Sequence, residues 1–198
     1  MNIKKEIKNT DTLPSSYSIY QTKDLKNDKK IALLIQLIFL FIAGLMVLIA
    51  FCFKLPIKND LSFIYKIVIT IFLVFFYMIM HELTHGLIIQ LLSKQKPSYR
   101  FRFPYLITGS NFYYNKKSFI MILFAPVFIW GIILITTLTF IPDSLFLSFY
   151  IVTGLNFAGS SGDFVQACLI KRLPKDILIK DDGKTTTYYT KVENMKEL

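Results

Sequence analysis

The chain has 198 residues, of which 54% are hydrophobic and 16% aromatic; only 18% are charged, and the formal net charge is +10. That length allows one domain or one compact helix bundle, and the composition excludes an ordinary soluble protein. The basic residues flank long apolar runs, so their excess reads as membrane topology, with a lipid bilayer and not nucleic acid as the partner.

The first thirty residues are mostly polar and include Glu6, Asp11, Asp24 and Asp28. A cleaved signal would open on a short basic segment, so the first apolar run, Ile31 to Phe53, is expected to remain as an anchor. As a helix it spans roughly 34 Å, enough to cross a bilayer core. Further apolar runs extend from about Ile67 to Leu92, Ser118 to Ile141 and Leu145 to Ile170. Lys and Arg number seven in the N-terminal arm, three in 54–66, six in 93–117, none in 142–144 and seven from Lys171 to the last residue. This alternation predicts a multi-pass cell-membrane protein with both termini in the cytoplasm.

Between the second and third runs, Tyr99-Arg-Phe-Arg-Phe alternates polar and aromatic residues, Thr108-Gly-Ser-Asn111 reads as a turn, and Phe112-Tyr-Tyr114 follows. A cytoplasmic β-hairpin is expected there. In the tail, Ile177-Leu-Ile179 and Thr185 to Tyr189 flank Asp181-Asp-Gly183, which predicts a second, short hairpin. Cys52 and Cys168 lie in separate apolar runs and read as small buried hydrophobes, not a disulfide. The predicted fold is therefore an all-α membrane bundle of four transmembrane helices, with a small β-hairpin between helices two and three and a hairpin-like tail. Its divisions are an arm over 1–30, a transmembrane domain over 31–171 and a tail over 172–198.

The chemistry concentrates in the second run, where His81-Glu82-Leu-Thr-His85 holds both histidines of the chain. Residues four apart on a helix differ by about 40° in azimuth, so both imidazoles can face one metal ion, with Glu82 beside the first as a general base. Ionisable residues in a lipid-embedded helix each cost roughly 2.5–3.5 kcal/mol on insertion scales, and a bound cation offsets that cost. Catalytic zinc usually takes three protein ligands and leaves one position open, so Zn2+ is the expected cofactor and a third ligand is needed. Only Glu82 and Asp163 among the acidic residues lie well inside apolar runs, which makes Asp163 the candidate. His85 and Asp163 each lie eight residues before polarity resumes, at Ser93 and Lys171. Both are thus about 12 Å below the same boundary. Asp163 with Gln166 three residues later also fits a capping box for a restarted helix. Asn156, two turns before Asp163, is a candidate to orient a carboxylate or stabilise an oxyanion, or else to bond a neighbouring helix.

His81-Glu-Leu-Thr-His-Gly86, Ala125-Pro126 in the next run and Asn156 with Ser161-Gly162-Asp163 in the last resemble the bacterial zincin peptidase family of membrane-embedded proteins, over about residues 30 to 190. They are more distantly similar to the site-2 intramembrane metalloproteases. The resemblance implies His81, His85 and Asp163 as zinc ligands and Glu82 as catalytic base. In site-2 proteases the last motif has Asp before Gly, and here the order is Gly162-Asp163. The expected activity is cleavage of a membrane protein or peptide near the cytoplasmic side; the inter-helix hairpin either pairs with an unwound substrate strand or is a solvated basic loop anchored by interfacial aromatics. The alternatives are a non-catalytic regulator, immunity factor or scaffold with a structural metal, or a metal or proton transporter. The sequence leaves the oligomeric state open.

Overall fold

A computed structural model describes residues 7–24, 27–57, 62–102 and 105–192. The first six residues of the arm, parts of the 54–66 connection, Phe103 of the expected hairpin strand and the last six residues of the tail lie outside the described residues. The elements in chain order are β1 (Tyr17–Lys23), α1 (Lys29–Cys52), α2 (Phe63–Ser93), β2 (Ser98–Arg102), β3 (Tyr105–Gly109), β4 (Tyr114–Asn115), α3 (Lys116–Phe140), α4 (Asp143–Gly159), α5 (Ser161–Lys171), β5 (Leu178–Asp181) and β6 (Thr186–Lys191).

Among the described residues, three helices, α1, α2 and α3, are long and apolar enough to cross a membrane. Side chains such as Phe41, Phe51, Phe72, Phe128 and Ile132 stand exposed along them, which suits lipid and not water. Polar groups fix where two of these helices begin. The Asp28 carboxylate accepts the backbone N–H groups of Lys30 and Ile31 at the start of α1, and the Asn115 side chain accepts that of Ser118 at the start of α3.

The fourth apolar run is not one helix. It divides into α4 and α5 at Ser160, within Gly159-Ser-Ser-Gly162. Carbonyls freed by the break are taken by hydroxyls: Ser160 donates to the Asn156 carbonyl at 2.8 Å, and Ser161 donates to that of Ala158. Small side chains and local donors make such a break tolerable at membrane depth. The break also places Asp163 in the first turn of a helix, where the positive end of the dipole favours a carboxylate.

The polar parts form more sheet than the sequence indicated. β1, β6, β5 and β4 make one antiparallel sheet in that order, so the N-terminal arm and the C-terminal tail share a sheet. Period-two alternation explains why Ile177-Leu178-Ile179, at and just before the start of β5, is apolar on both faces. Ile177 and Ile179 pack with Tyr188, Ile89, Ile122, Ala167 and Ile170 against the helix ends, whereas Leu178 packs with Tyr17 and Tyr189 on the other face. The tail hairpin turns where expected, with Gly183 at φ +83°. The other hairpin does not. Its strands are β2 and β3, pairing Ser98 with Gly109 and Arg102 with Tyr105, so Thr108 and Gly109 lie in a strand and not in the turn. The pairing of Arg102 with Tyr105 is the last of the ladder. Cys52 and Cys168 are free, as expected, but exposed and not buried.

The two hairpins lock together beneath the helices. The Ser110 N–H donates to the Asp181 carbonyl at 2.7 Å. The Asp181 carboxylate accepts from Thr186, from Gln166 of α5 and from the Gly183 N–H, and burial raises its pKa above the usual carboxylate range. Gly109 lies so close to the backbone of Asp182 that a Cβ there would overlap it. Gly109→Ala should therefore destabilise the protein by about 1–3 kcal/mol, because backbone and not a mobile side chain must give way. Denaturant unfolding in detergent checks this; an unchanged midpoint would contradict it.

Candidate metal centre

The structure brings His81, His85 and Asp163 together. Their ligand-type atoms, one from each residue, lie within 4.8 Å of one another. His81 Nε2 is 3.2 Å from His85 Nε2 and 3.5 Å from Asp163 Oδ2, and His85 Nε2 is 3.7 Å from Asp163 Oδ1. Three ligands of a tetrahedral zinc at 2.0–2.1 Å stand about 3.3–3.4 Å apart, so the spacing fits that ion.

Hydrogen bonding fixes which ring nitrogens face inward. His85 Nδ1 lies 2.9 Å from the Ile122 carbonyl, which only accepts, so Nδ1 carries a proton and the neutral ring has its lone pair on Nε2. His81 is oriented through three groups in series. Asn156 Nδ2 donates to the Val127 carbonyl, which turns its Oδ1 toward Tyr77. The Tyr77 hydroxyl spends its single proton on that oxygen at 2.9 Å, so it must accept from His81 Nδ1 at 3.0 Å. Both Nε2 atoms then present lone pairs to one another and to a carboxylate. Such an arrangement is repulsive without a cation, and the donor set of two imidazoles and one carboxylate is a familiar catalytic zinc combination.

Glu82 is placed by a different element. Its Oε2 accepts the Thr108 N–H at 3.1 Å, and the Thr108 hydroxyl donates to the Glu82 carbonyl at 2.9 Å. Strand β3 is thereby docked on α2 one residue from His81. Gly86 allows the approach, since a Cβ there would meet the Tyr99 ring of β2.

Asn156 comes to the site only through Tyr77; it is fully buried, with its amide engaged on both sides. The capping-box partner Gln166 turns away from Asp163 to Asp181 and Thr186. Sequence reasoning did not single out Tyr77, Thr108 or the Ile122 and Val127 carbonyls. Tyr77 was within reach of it, because Tyr77, His81 and His85 are spaced by four on one helix face.

A pair of helix-borne histidines enclosing a glutamate, with a carboxylate from a later helix, defines the zincin class of site. The chain belongs to the family described as "Putative zincin peptidase", whose profile matches residues 74–178 and so spans all of these groups. No curated protein and no solved structure matches the chain.

Tyr77→Phe removes the acceptor for the His81 Nδ1 proton. Zinc affinity should fall about 10–100-fold, as for other partners that orient a ligand. Competition titration against a chromophoric chelator measures it, and an unchanged dissociation constant would show that His81 is oriented some other way.

Proposed function

We propose that this protein is a zinc-dependent intramembrane metallopeptidase that hydrolyses peptide bonds of membrane-associated substrates near the cytoplasmic side. The observation that carries the reading is the convergence of His81, His85 and Asp163 beside Glu82 on a helix long and apolar enough to span a bilayer. In this reading α4 and α5 together make a fourth crossing. Both termini lie in the cytoplasm, as the distribution of Lys and Arg favours.

His81, His85 and Asp163 would hold the ion, and zinc bound there supplies Lewis acidity that brings water deprotonation near neutral pH and polarises a carbonyl. Glu82, steadied by the Thr108 N–H, accepts a proton from water as the water oxygen bonds to the scissile carbon. The same carboxyl then gives that proton to the departing amine nitrogen as the C–N bond breaks. Asn156 acts through Tyr77, which keeps the His81 ring turned with Nε2 inward.

The substrate must present an extended peptide, because a helix hides its carbonyls. β3 supports such a binding mode. Thr108 points its N–H away from β2 and toward Glu82, so by alternation Leu106 also turns its backbone groups to that edge. An unwound segment pairing with the Leu106 groups of this edge, where Thr108 is already held by Glu82, would lie near the site.

Glu82→Gln should retain stoichiometric zinc and lose cleavage by a factor on the order of 10²–10⁴. Metal analysis and cleavage of labelled transmembrane peptides in proteoliposomes measure the two effects. Retained cleavage in the variant would reject Glu82 as the base. Zinc-loaded wild-type protein that cleaves no member of a varied peptide set would favour a structural metal in a regulator or scaffold.

A further inference from the structure

The Ala125-Pro126 pair has no part in the chemistry above, yet Pro126 is buried inside α3, which continues through it. Proline has no amide hydrogen, so position 126 cannot donate to the carbonyl four residues earlier, and its ring crowds that carbonyl out of the helical ladder. The carbonyl four residues earlier is that of Ile122. It is the same oxygen that lies 2.9 Å from His85 Nδ1, in a buried contact between α3 and α2.

We propose that Pro126 is a positioning residue for the metal centre: by withholding an amide hydrogen it leaves the Ile122 carbonyl to hold His85 in the tautomer and orientation that present Nε2 to the ion. The inference rests on the metal-centre reading and goes beyond it, since Pro126 touches neither ligand atoms nor substrate. Each partner answers a need of the other. A buried carbonyl that has lost its helical donor is unfavourable until another donor reaches it. An imidazole in an apolar bundle is fixed in one tautomer only if one nitrogen finds a dedicated partner. His81 has a separate orienting partner in Tyr77, so each of the two ligand rings is held by its own device, one from a hydroxyl and one from a proline-freed carbonyl.

The test separates a positioning role from a simple helix kink. Pro126→Ala restores an amide at 126 and replaces a poor helix residue by a good one. The metal-free variant should therefore unfold in detergent at the same temperature as wild type or higher, while its zinc dissociation constant rises about tenfold. Pro126→Val, closer to proline in bulk, restores the same amide and should give the same loss of affinity; it decides the matter if the alanine variant fails to fold. Nuclear magnetic resonance gives an independent readout on metal-free wild type carrying 15N-histidine and 13C-carbonyl isoleucine. A through-hydrogen-bond coupling should join the protonated His85 Nδ1 to the Ile122 carbonyl and should weaken in both variants. Unchanged zinc affinity in a folded Pro126→Ala or Pro126→Val protein would overturn the proposal, as would a His85 proton residing on Nε2. Wild type that binds no zinc at all would instead overturn the metal-centre reading, and the coupling experiment would still decide how His85 is held.

Discussion

Two bare imidazole nitrogens held 3.2 Å apart beside a carboxylate are the constraint around which the rest of this protein is arranged. Left to themselves, the two lone pairs repel each other and the carboxylate adds more negative charge. The rings stay in place because their outer nitrogens are committed to the Tyr77 hydroxyl and the Ile122 carbonyl. A divalent cation held there would turn the same repulsion into attraction.

The fold serves that arrangement from three sides. α2 carries both histidines and Glu82. The break between α4 and α5 brings Asp163 in at a helix start, and the dipole there favours its charge. α3 supplies the Ile122 and Val127 carbonyls that fix His85 directly and His81 by way of Asn156 and Tyr77. On the polar side, the tail hairpin grips both α5, through Gln166 and Asp181, and β3, through Ser110 and the close approach of Gly109. The element bearing Asp163 and the strand that steadies Glu82 are thus tied to one turn.

Much of this was legible in the sequence, for definite reasons. The spacing of His81 and His85 acts within one helix, so their convergence needed no tertiary information. Asp163 emerged because a carboxylate deep in an apolar run demands a partner, and matched depth indicated which. The tail turn was readable because Asp182-Gly183 names its own geometry. The β2–β3 register was not, because Thr108-Gly-Ser-Asn111 has turn-like residue types whereas its real constraint is tertiary: Gly109 is small to let the tail hairpin approach. β1 escaped notice because its partner, β6, lies far away in sequence, and only a buried residue such as Tyr17 signals the pairing. The role of Asn156 depended on Tyr77 standing between it and His81, an arrangement spanning two helices that spacing alone does not reveal.

X-ray absorption at the zinc edge of protein loaded with one equivalent of zinc tests the central claim most directly. The account predicts a first shell of two imidazole nitrogens and oxygen donors at about 2.0–2.1 Å, with the oxygen contribution altered in Asp163→Ala. A shell containing sulfur, or one unchanged by loss of Asp163, would contradict it.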